Sequence, residues 1–280
     1  MPLRSAVTAK HALTRTGGFL DGFSYSLNPY IGCGFGAGGG CPYCYVRMLP
    51  VARTVEAPWG AWVVAKSNLP ELLEREMAAL DRSDKLAQTT IFMSSATDPY
   101  QGIERRQRLT RGALEVMLRH SPRRLLLQTR SPLVERDIDL LARMGRSVIV
   151  SLTLETDDDS VRRAITPTSP SIARRIQTAI RLRSAGIFVQ LAISPMMPNN
   201  SFRMAEIAER AADRVVVDTF FDGDGSGGRR SRALGIGELY ARLGYEGWFE
   251  RGAEHGLIAV LRNRLGSDRV LISRIGFNAV

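Results

Sequence analysis

Three cysteines give this 280-residue sequence its clearest chemical signal. Cys33, Cys41 and Cys44 are its only cysteines, and all of them lie in the segment IGCGFGAGGGCPYCYVR. An odd number of cysteines argues against a disulfide framework and favours thiolates that hold a metal. The CPYC turn brings two thiolates together. The glycine-rich interval before it, Gly34, Gly36, Gly38, Gly39 and Gly40, lets the backbone approach a cluster closely and direct N–H groups at its sulfurs.

The number of ligands distinguishes the kinds of metal centre. A [4Fe-4S] cubane held by three thiolates leaves one iron open to a small molecule, whereas a structural zinc site or an electron-transfer cluster normally has four protein ligands. There is no fourth cysteine, and the three histidines, His11, His120 and His255, are remote in sequence, although His11 could fold back onto the site. We therefore predict a [4Fe-4S] cluster bound by the three cysteines. Structural zinc and thiols without a metal are the alternatives.

The elements that position these residues follow from the hydrophobic pattern. Short apolar runs alternate with longer segments of helical spacing, which is typical of a parallel sheet with crossover helices. Ser131-Pro132 and Ser169-Pro170 each place a capping hydroxyl before a proline at the first position of a helix. The pattern predicts an α/β fold, a partial (β/α)6 TIM-like barrel with parallel strands and a helical C-terminal extension. The candidate strands are residues 23–31, 89–95, 124–129, 147–154, 187–194 and 214–219.

Three regions are predicted along the chain: an N-terminal arm over residues 1–22, the barrel over 23–221, and a C-terminal cover over 222–280. The stretch DGDGSGGRRSR at 222–232 is too rich in glycine and charge to form a regular element, so we predict a loop there. Residues 236–265 carry apolar residues that indicate helices. The cover is therefore expected to be mainly helical.

The basic composition permits a polyanionic partner without establishing one. The formal charge is +10, and only Lys10, Lys66 and Lys85 among the 38 basic residues are lysines. Arginines on one face would bind phosphate backbones, but the arginine pairs are dispersed along the chain, as expected for solvated helix faces. The sequence contains no apolar run long enough for a membrane span or an export signal. We therefore expect no membrane partner and a cytoplasmic location.

Several segments together resemble one family. LTRTGGFLDGFSYSLNPYIGC followed by CPYCYVR resembles the N-terminal segment of the radical S-adenosylmethionine (SAM) superfamily, in the branch similar to spore photoproduct lyase. An aromatic residue precedes the last cysteine in that superfamily, as Tyr43 does here. The usual first interval has three residues between the cysteines, whereas this chain has seven. The resemblance continues over most of the first 220 residues, through SSATDPYQGIE, LLLQTRS, VIVSLTLETDDDSVRRAITPTSPS and GIFVQLAISPMMP.

The resemblance implies two cofactors, a [4Fe-4S] cluster and SAM, at the carboxyl ends of the barrel strands, and an external electron donor of the flavodoxin or ferredoxin type. Arg130 is matched to the SAM carboxylate, since a guanidinium fork suits that group. For each predicted side chain, a turn or capping role is the alternative, as for Asp98 before Pro99. The other predicted cofactor-binding residues are Tyr43, Ser95, Thr97, Asp98, Ser151 and Glu155.

The reaction that the resemblance implies is reductive cleavage of SAM to methionine and a 5′-deoxyadenosyl radical, which abstracts hydrogen from a substrate. Spore photoproduct lyase uses a further cysteine as a hydrogen donor, and this chain has none beyond the three ligands. The substrate is therefore open, with nucleic acid as one hypothesis. The alternatives in other classes are a zinc-knuckle nucleic-acid-binding module and a non-catalytic iron–sulfur electron carrier.

Overall fold

A computed structural model describes residues 3–35 and 41–279. The strands in these residues are β1 (Leu3–Val7), β2 (Leu13–Arg15), β3 (Tyr25–Leu27), β4 (Tyr30–Ile31), β5 (Trp62–Lys66), β6 (Thr90–Met93), β7 (Arg124–Thr129), β8 (Val148–Thr153), β9 (Phe188–Ile193), β10 (Arg214–Val217) and β11 (Val270–Ile272). The α-helices are α1 (Leu69–Arg82), α2 (Glu104–Gln107), α3 (Leu109–Arg119), α4 (Ile138–Met144), α5 (Asp159–Ile165), α6 (Ile172–Ser184), α7 (Ser201–Ala211), α8 (Arg229–Ala233), α9 (Ile236–Leu243), α10 (His255–Leu265) and α11 (Ser273–Phe277). Short 3₁₀ helices span Gly18–Leu20, Tyr45–Met48, Pro50–Arg53, Leu86–Gln88, Pro132–Asp137, Gly145–Ser147, Glu246–Phe249 and Ser267–Arg269. None of the helices described is both long and apolar enough to cross a lipid bilayer.

One large sheet forms the frame of the molecule. Its eight strands lie in the order β11-β10-β9-β8-β7-β6-β3-β2, and every neighbouring pair is parallel except β2 with β3. Strand β3 and the five strands β6 to β10 are the six predicted parallel strands. The predicted fold class, a partial TIM-like barrel of the α/β type, is confirmed. Strand β11 adds a parallel strand at one edge, inside the region predicted as a mainly helical cover.

The strand sequences place two apolar layers on opposite faces of this sheet. Successive residues of a strand point to opposite faces, so an apolar strand buried on both sides serves both layers. In β8 all six residues are buried. Ile149 packs inside the barrel with Phe92 and Leu126, whereas Val148 and Val150 pack in the outer layer against the helices. The barrel wall is therefore fixed from both sides.

The two ends of the chain close the open side of the barrel. The turn before β3 contacts α11, the helix that follows β11. Asn278 accepts a hydrogen bond from the Gly22 N–H at 2.9 Å and donates one to the Phe19 carbonyl at 2.7 Å. Phe19 also packs against Phe277, with ring centroids 5.9 Å apart. These contacts tie together sheet edges that share no ladder hydrogen bonds.

A smaller sheet holds the start of the cysteine segment. Its strands lie in the order β1-β5-β4, and β4 runs directly into Gly32 and Cys33. Gly32 has a φ of +81°, and a Cβ atom there would lie 2.5 Å from the Trp62 ring on β5. Only glycine fits this position, because a side chain would meet both backbone strain and the indole. The small sheet thus sets the position of the first cysteine.

Residues 23–31 were predicted as one strand, and this was wrong. They form β3 in the large sheet and β4 in the small one. Pro29 lies between them and has no N–H for a ladder, so the chain leaves the first sheet there. The Asn28 side chain fixes this corner, because its Oδ1 accepts from the Ala96 N–H at 3.0 Å. Residues 1–22, predicted as an arm, contribute β1 and β2 to the two sheets.

One of the two predicted helix starts was also wrong. The helix expected at Ser169-Pro170 begins at Ile172, and Ser171 is its cap, with its side chain accepting from the Arg174 N–H. Ser169 is engaged elsewhere, because its hydroxyl lies 3.3 Å from Arg130 Nη1. The prediction for Ser131 is confirmed, since its hydroxyl caps the 3₁₀ helix that follows.

The predicted loop at 222–232 contains the start of a helix. Helix α8 begins at Arg229 because the Asp224 carboxylate accepts from the N–H groups of Gly228 and Ser231. A carboxylate that satisfies free N–H groups at a helix start supports a helix that composition alone argues against.

We predict that Gly22→Ala loosens the closure of the barrel. A Cβ atom at Gly22 would lie 2.6 Å from Asn278 Cβ, so α11 would have to shift. We expect the free energy of unfolding in urea to fall by about 1 to 3 kcal/mol. Gly17→Ala is the matched control, because a Cβ atom there meets nothing within 4 Å. Equal effects of the two substitutions would contradict the closure described here.

Candidate active site

All three cysteines line one cavity at the carboxyl ends of the barrel strands. We call it the cysteine cavity; its volume is about 230 Å³. The functional end of a parallel barrel is the end at which the strands finish, and this cavity lies there. Its lining residues include Cys33, Cys41, Tyr43, Cys44, Tyr45, Ser94, Ser95, Thr97, Asp98, Gln128, Thr129, Arg130, Thr153, Ser194, Thr219 and Phe220.

The cysteines lie in an apolar setting. Cys33 and Cys44 pack against Val46, Trp59 and Trp62. Burial raises the pKa of Cys33 to about 12, and burial together with the neighbouring Cys41 raises the pKa of Cys44 to about 11. Thiolates in such a setting require a compensating positive charge, which bound iron supplies. The chemistry of this donor set therefore fits a metal cluster.

The glycine interval is only partly described. The Gly34 N–H donates to Gln101 Oε1 at 2.7 Å, so this amide is directed at a side chain. Gly36, Gly38, Gly39 and Gly40, which were predicted to fold around a cluster, lie outside the described residues. The cluster-binding role of that interval stays a prediction.

Residues 3–35 and 41–279 contain no group of three His, Cys, Asp or Glu side chains arranged to hold one metal ion. A cubane cluster makes a different demand, since each thiolate binds a different iron and the sulfurs need not converge on one point. The histidines lie apart from the cysteine cavity. His11 is beside Glu76, and His120 is beside Glu74.

Arg130 lies at the end of β7, and one edge of its guanidinium group is held by hydrogen bonds. Its Nη1 lies 3.0 Å from Glu155 Oε1 and 3.2 Å from the Tyr43 hydroxyl. Glu155 is 1% exposed and also pairs with the buried Arg175 at 2.6 Å. Burial raises the pKa of Glu155, but Arg130 and Arg175 outweigh it and lower this pKa to about 2. Glu155 therefore stays ionised and orients Arg130 instead of facing the cavity.

Three predicted residues on the loop after β6 also line the cavity. Asp98 accepts hydrogen bonds from the Tyr100 N–H, the Thr129 hydroxyl and the Arg130 N–H, at 2.8, 2.8 and 2.9 Å. Both carboxylate oxygens of Asp98 therefore have hydrogen-bond partners within the protein, as expected for a turn role, which was the alternative to binding SAM. Thr97 accepts from Gln101 Nε2 at 2.9 Å, and Ser95 Oγ accepts from Asn28 Nδ2 at 3.2 Å.

Ser151 is the predicted residue that the structure places away from the others. It lies in the middle of β8, is fully buried, and accepts a hydrogen bond from Gln190 Nε2 at 2.8 Å. It is not among the residues that line the cysteine cavity. Its predicted contact with SAM stays a prediction.

Several lining residues were missed from the sequence. Gln128, Thr153 and Ser194 lie on or directly after apolar strands and face the barrel interior. Asp218 follows β10, is 2% exposed and accepts from the Ser194 hydroxyl at 3.2 Å. The sequence signal for these residues was a polar side chain at one of the alternating strand positions that face the interior, in an otherwise apolar strand.

The family model of the Radical SAM superfamily matches residues 27–211, which is more than half of the chain. The chain therefore belongs to the radical SAM superfamily. The predicted membership of this family is confirmed. The family implies a [4Fe-4S] cluster and SAM.

Two relatives share part of the sequence. The chain is 34% identical over 180 residues to an uncharacterized protein of Methanocaldococcus jannaschii, a match covering 64% of this chain and 63% of the relative. It is 28% identical over 208 residues to an uncharacterized protein of Acidianus two-tailed virus, covering 68% of this chain and 65% of the relative. The matches thus span less than two thirds of either relative.

Two solved structures share the fold. A spore photoproduct lyase variant superimposes with a TM-score of 0.66 at 13% identity, covering 96% of this chain and 81% of that one. A second variant, with dinucleoside spore photoproduct, gives a TM-score of 0.66 at 14% identity and covers 96% and 80% of the two chains. At this level of identity the similarity shows the fold.

We predict that Asp218→Asn changes stability with pH. Burial raises the pKa of Asp218 from 3.8 to about 6, so the folded state holds this proton more tightly than the unfolded state does. As the pH rises from about 4 to about 6, the parent therefore loses the stability that the Asp218 proton provides. The asparagine variant has no such proton to lose. The free energy of unfolding of the variant relative to the parent should rise by about 2 to 3 kcal/mol across that window. A difference that is constant with pH in urea titrations would oppose this assignment.

Proposed function

We propose that the protein is a radical SAM enzyme that binds a [4Fe-4S] cluster through Cys33, Cys41 and Cys44 and cleaves SAM reductively. One observation carries the proposal: the three cysteines and Arg130 line the same cavity at the mouth of the barrel. An electron carrier has no need for a cationic fork beside its cluster. A zinc-knuckle module has no need for a barrel mouth.

Arg130 is the proposed partner of the SAM carboxylate. Its Nη1 is occupied by Glu155, Tyr43 and Ser169. No side chain or carbonyl of the described residues accepts from Nε or Nη2, and the side chain is 14% exposed. A guanidinium anchored along one edge presents its other edge in a fixed orientation, which suits a bidentate contact with a carboxylate.

The other predicted residues have two kinds of proposed role: some contact SAM, and others hold neighbouring residues in position. Ser95 and Thr97 line the wall and offer oxygen atoms to the SAM amino group. Asp98 holds the end of β7 in place through its three hydrogen bonds. Glu155 and Tyr43 orient Arg130. Ser151 supports the interior through Gln190.

When bound and reduced, the cluster supplies the electron that converts SAM to methionine and a 5′-deoxyadenosyl radical, and an external flavodoxin or ferredoxin would restore that electron. The protein binds and orients SAM and excludes water. Phe220 and Tyr43 contribute to that exclusion, since their rings pack edge to face with centroids 5.9 Å apart at the cavity wall. The chemistry that these cofactors would supply at this site is abstraction of a hydrogen atom from an organic substrate.

We predict that anaerobically reconstituted protein, reduced with dithionite, forms 5′-deoxyadenosine from SAM. Cys41→Ala should lose the cluster and the product together, because two thiolates leave a second iron without a protein ligand. Chromatography of the product and the iron and sulfide contents measure this. Full iron content without product would favour a carrier, and zinc in place of iron would favour the nucleic-acid-binding module.

We predict that Arg130→Gln weakens SAM binding by about tenfold to a hundredfold while the iron content stays at the parent value, because one charge-assisted carboxylate contact is lost. Equilibrium binding to the reconstituted protein measures the change. Arg181→Gln is the control, since Arg181 is 51% exposed and pairs with Glu135 away from the cavity. Parent-like affinity of Arg130→Gln would overturn the placement of the carboxylate.

A further inference from the structure

A second cavity adjoins the cysteine cavity on the open side of the barrel. We call it the lateral cavity; its volume is about 430 Å³. Its wall includes the turn before β3, the barrel interior and the start of the 222–232 segment. It shares part of its wall with the cysteine cavity: Tyr45, Ser94, Ser95, Gln128, Ser194, Gly223 and Asp224. A molecule in the lateral cavity would therefore lie next to SAM.

The inner end of the lateral cavity is rich in hydrogen-bond acceptors. Gln128 donates to the Thr153 hydroxyl at 2.7 Å, but its buried Oε1 has no hydrogen-bond partner among the described residues. The same is true of the buried Ser94 hydroxyl. Asp218 lines the same cavity on the opposite strands. Buried polar atoms are nearly always paired in folded proteins, so Gln128 Oε1 and the Ser94 hydroxyl have the capacity to accept from a ligand at the wall that the two cavities share.

The outer end carries two cations. Arg15 and Arg230 both line the lateral cavity, and neither forms an ion pair with a carboxylate of the described residues. Arg230 Nη1 donates to the Asp224 carbonyl at 2.8 Å, which fixes one edge of its guanidinium. Arg15 lies over the Tyr25 ring, 5.0 Å from its centroid. Two oriented guanidinium groups at an opening favour a phosphate group there.

Close packing at Gly223 joins the loop to the acceptor end. A Cβ atom at Gly223 would lie 2.2 Å from Asp218 Oδ2. The loop that carries Arg230 is therefore seated directly on the Asp218 carboxyl. The distance between the cationic and the acceptor ends is set by this contact and by the hydrogen bonds of Asp224.

We propose that the lateral cavity is the substrate site and that the substrate is a phosphate ester. Its phosphate lies between Arg15 and Arg230, and its hydroxyl or N–H groups donate to Gln128, Ser94 and Asp218. This places a carbon of the substrate at the shared wall, within reach of the radical. The inference rests on the proposed function and adds to it the substrate class and the residues that select it. A free phosphomonoester and a phosphodiester in a nucleic acid share this chemistry.

The test uses two probes of the same size, carbon-deuterated glycerol 3-phosphate and carbon-deuterated glycerol, with the reconstituted, dithionite-reduced protein and SAM. Transfer breaks a C–D bond of the probe and forms a C–D bond at the 5′ carbon of deoxyadenosine. The probe radical that remains takes one electron from dithionite and a proton from water. Mass spectrometry gives the fraction of 5′-deoxyadenosine that carries deuterium.

We expect deuterium transfer from glycerol 3-phosphate to exceed that from glycerol by about a hundredfold at equal concentration, since the phosphate has two charge-assisted contacts of about tenfold each. This ratio should fall by about tenfold in Arg230→Gln and in Arg15→Gln, and should keep its parent value in Arg75→Gln. Arg75 is the matched control, an exposed arginine on α1 that lines neither cavity. Arg15 is exposed as well, so its substitution is not expected to disturb folding.

Competition identifies the source of the phosphate. Unlabelled oligodeoxythymidylate that suppresses transfer supports a nucleic acid, and suppression by inorganic phosphate alone supports a phosphomonoester. Equal transfer from the two probes would overturn the phosphate assignment, and 5′-deoxyadenosine without deuterium from either probe would overturn the lateral cavity as the substrate site. Complete absence of 5′-deoxyadenosine is a different result, because it would refute the proposed function itself.

Discussion

The buried carboxylate of Glu155 is the interaction on which the arrangement of the site depends. It lies at the end of β8 and contacts Arg130 from β7, Arg175 from α6 and the Tyr43 hydroxyl from the cysteine segment. Two strands, a helix and the cysteine loop therefore meet at one charge. Removing one partner of such a group leaves an uncompensated buried charge, which costs several kcal/mol, roughly 3 to 5. These contacts of Glu155 fix the orientation of Arg130 relative to the cysteines.

The incomplete barrel explains why the site has two neighbouring cavities. A closed barrel fills its interior with side chains, whereas here the lower interior is filled by Phe92, Leu126 and Ile149 and the upper interior keeps polar residues around open space. The closure between Phe19 and Phe277 seals the apolar part only. In the proposed function, SAM and the substrate would approach the shared wall from different sides.

Much of the frame followed from local pattern. All six predicted barrel strands overlap observed strands, although the first was predicted too long, since a strand buried on both faces is a continuous apolar run that a sequence displays directly. Errors occurred where a side chain from elsewhere decided the outcome. Ser169 was expected to cap a helix, but Arg130 engages its hydroxyl. Asp224 starts a helix in a segment whose composition predicts a loop.

The sequence by itself determined the class of the protein, because the three cysteines, their spacing and the order of the strand motifs are contiguous features of the chain. Arg130 could be singled out for the same reason. Only the tertiary structure decided what surrounds it. That Glu155 faces Arg130 and Arg175, that Ser151 is withdrawn from the cavity, and that Asp218 and Gln128 face the interior all depend on contacts between distant elements. Local periodicity fixes which face of an element is apolar, but the meeting of two charges far apart in sequence is set by how the elements pack.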